Sequence, residues 1–331
     1  MTAQPLDEAG GRSLVLLSGG GGGARLAAAL APEMVDRDLL VVANTGDDFE
    51  HLGLVICPDI DSVLYAVSGQ IDSARGWGRS NETWRVLDTV RSLAGPDWFQ
   101  LGDQDLALHL IRKQLLGEGL SLSDSTAELA RRFGLSDAFR LVPASDQPIR
   151  TFVQTDEGEM AFQEYFVARR TEPRLTGVRY GGIEAASMSP LVQQVLSGEP
   201  PLDIVLGPSN PFLSLAPILK IPGMLEALQR SARRVVAVSP IVAGQALKGP
   251  AAKIMAELGL EASAAGWTRL MSEQYPNLVD IWVWDSADHS DATRLRDELD
   301  LDVRCTGTIM RERSERQRFA RWLLREALAD D

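Results

Sequence analysis

Ser13-Leu14-Val15-Leu16-Leu17-Ser18-Gly19-Gly20-Gly21-Gly22-Gly23-Ala24-Arg25-Leu26-Ala27-Ala28-Ala29-Leu30 is the stretch on which the fold turns. Its first part is short and continuously apolar, as a strand buried on both faces must be, and five glycines then break it. The alanine- and leucine-rich run from Ala24 reads as a helix. Leu39-Leu40-Val41-Val42-Ala43 follows at βαβ spacing, so the chain opens as a Rossmann-like, doubly wound α/β fold with a mostly parallel sheet. The pattern returns at Leu202-Asp203-Ile204-Val205-Leu206, which ends in Gly207-Pro208-Ser209-Asn210-Pro211, and at Arg234-Val235-Val236-Ala237-Val238, which ends in Ser239-Pro240. Open α/β sheets hold their ligands outside such strand ends.

Between these halves the periodicity becomes helical. Asp103 and Asp105 open one helix, a second is expected over 125–134 with Gly134 as its C-cap, and alternation over 151–155 and 160–167 around Asp156-Glu157-Gly158 reads as a β-hairpin. The expected organisation is a loose tail over 1–12, a nucleotide-binding domain built from 13–100 and 186–331, and an inserted, mainly helical subdomain with a hairpin over 101–185. The later elements are a helix near 253–258, a strand over 279–284 and a closing amphipathic helix over 314–328.

Charge and cysteine content exclude several classes. With 33 Lys+Arg against 46 Asp+Glu the formal net charge is -13, which repels nucleic acid over most of the surface. Two cysteines, Cys57 and Cys305, make no disulfide framework, and neither a signal peptide nor an apolar run of about 20 residues is present. The expectation is a cytoplasmic protein without a membrane anchor.

Glycines at the junction of strand and helix leave amide groups free for a phosphate, although a turn that merely lets helix and sheet pack would look the same. No Lys-Ser or Lys-Thr follows, so the Walker A arrangement is missing, while Asp47 stands where a dinucleotide site would want its ribose carboxylate. More informative is the segment Asn44-Thr45-Gly46-Asp47-Asp48-Phe49-Glu50-His51 with Pro58-Asp59-Ile60-Asp61, five carboxylates within fifteen residues. A solvated acidic loop is the plain alternative. Carboxylates beside a diphosphate need a hard cation between them, and Mg²⁺ is the cation expected. His51, His109 and His289 have no metal-ligand spacing, which speaks against zinc, and His51 reads as a structural hydrogen-bonding residue or a general base.

The ordered motifs resemble the 2-phospho-L-lactate transferases of coenzyme F420 biosynthesis, called CofD or, in actinobacteria, FbiA. They are Ser18-Gly19-Gly20 with Gly22-Gly23-Ala24-Arg25, Asn44-Thr45-Gly46-Asp47-Asp48, Pro58-Asp59-Ile60-Asp61, Gly76-Trp77-Gly78, Asn81-Glu82-Thr83-Trp84 and Leu101-Gly102-Asp103-Gln104-Asp105. Pro143-Ala144-Ser145-Asp146, Arg150-Thr151, Phe162-Gln163-Glu164, Gly207-Pro208-Ser209-Asn210-Pro211, Ile221-Pro222-Gly223, Ser239-Pro240-Ile241-Val242 and Gly249-Pro250-Ala251 continue the series.

The resemblance implies a phosphotransferase-type enzyme. The ribityl hydroxyl of the deazaflavin Fo attacks the phosphorus of a guanosine diphosphate conjugate bearing phospholactate, phosphoenolpyruvate or 3-phosphoglycerate. GMP leaves, and the product is F420-0 or dehydro-F420-0. It further implies Asp47 and Asp61 as metal ligands and Asp47, Asp48 and Asp61 as the catalytic carboxylates, with Asp48 or Asp59 assisting. Thr45, Asp61, Gln100 and Trp77 would contact the deazaflavin, helped by the inserted subdomain. Gln100 stands where some archaeal relatives carry lysine. Gly19, Gly20, Gly21, Gly22, Gly23, Gly207, Ser209 and Asn210 would hold the nucleotide, in a homodimer. Trp77 and Trp84 equally fit packing, Arg25 fits a phosphate contact or an exposed helix position, Asp103 and Asp105 fit helix-start residues, and Lys248 and Lys253 fit phosphate or subunit contacts. The rival readings are a regulatory nucleotide-sugar or dinucleotide binder of the gluconeogenesis-factor type and an NAD-dependent oxidoreductase. For the latter, no Tyr-Lys or His-Asp constellation stands out.

Overall fold

A computed structural model of the chain describes residues 13–34, 37–72, 74–246 and 249–329. The expected tail over 1–12 and Lys248 lie outside them. In chain order the elements begin with β1 (Leu14–Ser18), α1 (Gly20–Leu30), β2 (Leu39–Ala43), the hairpin β3 (Phe49–His51) and β4 (Leu54–Ile56), and α2 (Pro58–Val67). Next come α3 (Arg85–Ser92), α4 (Asp103–Gly117), α5 (Leu122–Arg132), β5 (Phe139–Pro143), β6 (Arg150–Thr155), β7 (Gly158–Ala161) and β8 (Leu175–Gly181). The remaining strands are β9 (Leu202–Leu206), β10 (Ala232–Val238), β11 (Ile241–Val242), β12 (Gln245–Ala246), β13 (Ile281–Asp285) and β14 (Asp302–Thr306).

Seven of these strands form one sheet in the order β14-β13-β10-β9-β1-β2-β5, and every neighbouring pair is parallel. Strand side chains alternate between faces, which gives the sheet two cores. Val15, Leu17, Leu40, Val42, Ile204 and Leu206 face one side, and Leu14, Leu16, Leu39, Val41 and Val205 the other. Helices α1, α2, α4 and α5 cover the second face, and the helices between β8 and β10 help cover the first. From β1 the chain runs outward through β2 to β5, then returns to the opposite side of β1 for β9. Beyond the carboxyl ends of β1 and β9 that reversal opens a crevice.

Helix α1 starts at Gly20, inside the glycine run, rather than at Ala24. A glycine in a helix is about 1 kcal/mol less favourable than alanine, so the run needs another reason. Close approach supplies it: a Cβ at Gly22 would be driven into the Pro208 carbonyl, and one at Gly19 into Ser214. The packing explanation of the glycines therefore holds alongside any ligand role.

Two expectations need correction. Asp59 and Asp61 do not lie on a loop; they sit in the first turn of α2, behind Pro58 at its first position. Proline loses no helical hydrogen bond there, and the helix dipole favours carboxylates at that end. The segment 101–185 is likewise not a continuous insertion, because β5 pairs with β2 in the main sheet and α4 and α5 pack beneath it. Only β7-β6-β8, a separate antiparallel sheet, stands away from the main one. The expected second hairpin strand ends at Ala161, and a helical turn, Glu164–Ala168, follows. That turn buries Tyr165 and stacks Phe166 on Phe162 at 5.4 Å. Among the described residues no single helix is long and apolar enough to cross a membrane.

Gly22→Ala is expected to lower stability by about 1–3 kcal/mol through overpacking against Pro208. Gly117→Ala, at the end of α4 where an added methyl group would meet nothing within 4 Å, is expected to be neutral or slightly stabilising. Urea denaturation of the two variants checks the contrast.

Candidate active site

A cleft of about 640 Å³ opens at the crevice. Gly19 to Gly22 and Arg25 line it from β1 and α1, Pro208, Ser209 and Asn210 from the loop after β9, and Asp59, Asp61 and Tyr65 from α2. Asp47 and an aromatic wall of Trp77, Trp98, Phe99, Phe162 and Phe166 complete the lining.

Short hydrogen bonds fix the strand ends. The Ser209 hydroxyl donates to the Gly19 carbonyl at 2.8 Å and accepts from the Gly19 N–H at 3.1 Å, tying β9 to β1. Asp59 accepts from the Gly20 N–H at 2.6 Å and from the Asn44 side-chain amide at 2.8 Å, tying α2 to α1 and β2. Asn44 also donates to the Leu213 carbonyl at 3.0 Å and accepts from the Gly46 N–H at 2.8 Å. Asn210 caps the turn after it, its oxygen accepting from the Phe212 and Leu213 N–H groups.

Burial dominates the electrostatics. It pushes the Asp48 carboxyl up to about 8 and that of Asp59 up to about 6. Asp47 is raised well above the usual carboxylate range by burial and then by the charges of Asp59 and Asp48. One of its oxygens, Oδ1, is buried without a hydrogen-bond partner. Asp61 differs: both its oxygens bond the fully buried Arg112 guanidinium, Oδ2 at 3.1 Å. Arg112 lies 3.1 Å from His109 Nδ1, His109 Nε2 lies 3.4 Å from Asp105, and the Tyr65 hydroxyl donates to Asp105 at 2.5 Å.

The expected site residues therefore divide. Gly19, Gly20, Gly21, Gly22, Ser209, Asn210, Asp47, Asp61, Trp77 and Gln100 meet at the cleft. Gly23, Gly207 and Thr45 do not line it, and Thr45 is buried with its hydroxyl unpartnered. Asp48 sits behind Asp47, lining a neighbouring cavity. His51 does not line the cleft but packs on Trp98, a residue of its aromatic wall, at 5.3 Å. Lys253 is held by Glu257 at 2.6 Å and Tyr165 at 3.1 Å. Asp103 caps the exposed start of α3 through the Arg85 and Val86 N–H groups, whereas Asp105 lines the cleft. The carboxylate bridging the glycine turn is Asp59, and the expectation of Asp61 as metal ligand meets a charge already matched by Arg112. The polar stripe Asp105, His109 and Arg112 has helical spacing on α4 and is the one signal that marks this buried network in the sequence.

No group of three or more His, Cys, Asp or Glu among the described residues forms a ready metal cage. Mg²⁺ asks for less, since one or two carboxylates plus phosphate oxygens and water suffice. Asp47, with its unpartnered buried oxygen, and Asp59, bonded only to neutral donors, fit that demand.

The chain matches the family 2-phospho-L-lactate transferase CofD over residues 14–318. It is 38% identical over 278 residues to a 2-phospho-L-lactate transferase of Methanosarcina mazei, covering 84% of this chain and 88% of the relative. A phosphoenolpyruvate transferase of Streptomyces griseus is 38% identical over 280 residues, covering 83% of this chain and 86% of the relative. Among solved structures, a protein of the UPF0052 family from Bacillus halodurans superposes with a TM-score of 0.63 at 13% identity, covering 95% of this chain and 98% of that one. At that identity the likeness is one of fold. A parallel α/β sheet with a glycine-turn crevice at its carboxyl ends defines the class, a doubly wound α/β fold. The chain belongs to the CofD family and is a transferase.

Arg112→Met strands the buried Asp61 charge and is expected to cost about 3–5 kcal/mol. Adding Asp61→Asn should restore at least half of the loss, which a double-mutant cycle by chemical denaturation reads directly.

Proposed function

We propose that this chain makes a deazaflavin phosphodiester in coenzyme F420 biosynthesis, taking the phosphate-linked acid of a guanosine diphosphate conjugate onto the ribityl hydroxyl of Fo. The observation that carries the reading is Asp47, a buried carboxylate with an unpartnered oxygen beside a glycine turn, in a member of this family. The glycine-turn amides take the diphosphate, aided by Ser209 and Asn210. The aromatic wall, with Trp77 and Gln100, takes the planar deazaflavin, and Phe162 and Phe166 come to it from the segment after β7. Asp61, held in place by Arg112, faces the acceptor end.

In the transfer, the hydroxyl oxygen forms a bond to the phosphorus carrying the acid, and the bond from that phosphorus to the bridging oxygen breaks. The bridging electron pair leaves on GMP. The hydroxyl proton passes to Asp59, whose raised proton affinity suits it to accept it. Asp47 would hold Mg²⁺, which would supply charge neutralisation at the diphosphate. Holding the hydroxyl in line with the leaving oxygen is the protein's larger contribution. The setting we propose is cytoplasmic, in accord with two unpaired cysteines, and the assembly a homodimer.

Purified protein, Fo, Mg²⁺ and the guanosine diphosphate conjugate of each of the three acids test this. GMP release with conversion of Fo is expected for at least one acid, and Asp47→Asn is expected to slow it by about 10²–10³-fold. Fo unchanged with all three conjugates would overturn the reading.

Metal-free stability should also depend on pH. Asp48 at about 8 and Asp59 at about 6 hold their protons more tightly folded than unfolded, where aspartate titrates near about 3.9. Their stabilising contribution is full below about pH 4 and is lost as pH rises through about 8. The Tm of metal-free protein is therefore expected to fall over that range, and millimolar Mg²⁺ to reverse most of the fall at the alkaline end.

A further inference from the structure

Arg25 also lines the cleft. It lies on α1, five residues after Gly20, and helical side chains slant toward the N-terminus of their helix. The positions three and four residues before it are Gly22 and Gly21, which have no side chains, so none stands between Arg25 and the glycine-turn backbone on that face of the helix. Thr308 and Met310 also line the cleft, and Arg311 follows directly. The helix Arg313–Trp322 packs against α1 and carries Arg316.

These three arginines crowd one another. Burial, then the charges of Arg316 and Arg311, loosens the proton on Arg25. None of the three joins a salt bridge among the described residues, and the Arg316 Nε is buried without a partner. The Glu315 carboxylate on the same segment accepts the Arg311 and Glu312 backbone N–H groups instead. In a chain with a formal net charge of -13, a half-buried arginine lining the cleft, with the partly buried Arg316 and the exposed Arg311 near it and no ion pair to any of the three among the described residues, invites an anion.

We infer that Arg25, backed by Arg311 and Arg316, forms a phosphate subsite of its own, which holds the phosphate that stays with the nucleoside. Resting on the transferase reading, this divides the cleft into an acidic end and a basic end. Asp47 and Asp59 face the phosphorus that is transferred, and Arg25 faces the phosphate that leaves. When the bridging P–O bond breaks, its electron pair ends on the departing nucleoside monophosphate, and a guanidinium there stabilises the charge as it grows. A planar, permanently charged fork suits that task better than an ammonium group.

The test uses the full-length protein, with GMP and guanosine as probes in equilibrium binding and GMP release as the rate. Arg25→Gln is expected to weaken GMP at least tenfold, to leave guanosine within twofold, and to lower kcat. Arg25→Lys is expected to restore part of the GMP affinity. If Arg25→Gln does not fold by circular dichroism, the pair Arg311→Gln and Arg316→Gln replaces it, with a smaller loss expected in the same direction. Unchanged GMP affinity, or an equal loss for GMP and guanosine, would overturn the subsite. Wild type that binds GMP in an Arg25-dependent way but releases none from any conjugate would keep the subsite and remove the transferase reading.

Discussion

One carboxylate joins the parts of this site. Asp59 reaches from the first turn of α2 to the Gly20 amide on one side and to the Asn44 side chain on the other. The three partners come from different elements, so the geometry of the crevice depends on a group that is itself buried and hard to ionise. Burial costs a carboxylate its hydration, and two neutral donors return only part of it. The site therefore carries an unrelieved demand for positive charge, concentrated where Asp47 adds a second carboxylate. On the proposed reading, that demand is what a divalent cation beside a diphosphate would answer.

Much of the sheet was legible because parallel strands buried on both faces read as unbroken apolar runs. β1, β2, β9 and β10 are of this kind, and the glycines and the Pro208-Ser209-Asn210 loop marked their ligand ends. The start of α1 was not legible, since four glycines weigh against a helix by propensity and only the approach of Pro208 explains them. α2 was hidden by the same residues that begin it, a proline and two aspartates that read as loop. β8 escaped because Gly177 interrupts its alternation.

The candidate site was legible in part for a related reason. Residue type and neighbourhood brought Asp47, the glycines, Ser209 and Asn210 forward, and these do meet. Side-chain direction and distant partners were not available from sequence. Thr45 turns inward from its loop, and Asp61 finds Arg112, which lies 51 positions away along the chain. A buried ion pair of this kind seldom adds net stability over apolar packing of the same volume. Its use here is geometric, holding one carboxylate still at the side of the cleft where the aromatic wall begins.

That wall is built differently from the floor. The floor is made of strand ends and helix starts of the main sheet, where a shift in one element moves all of them. Phe162 and Phe166 come instead from the helical turn after β7, whose strand belongs to the separate three-stranded sheet. Substitutions there can reshape what the wall admits without disturbing the glycine turn or its carboxylates. Such a layout leaves that part of the wall free to drift over evolutionary time while the floor, whose elements constrain one another, stays fixed.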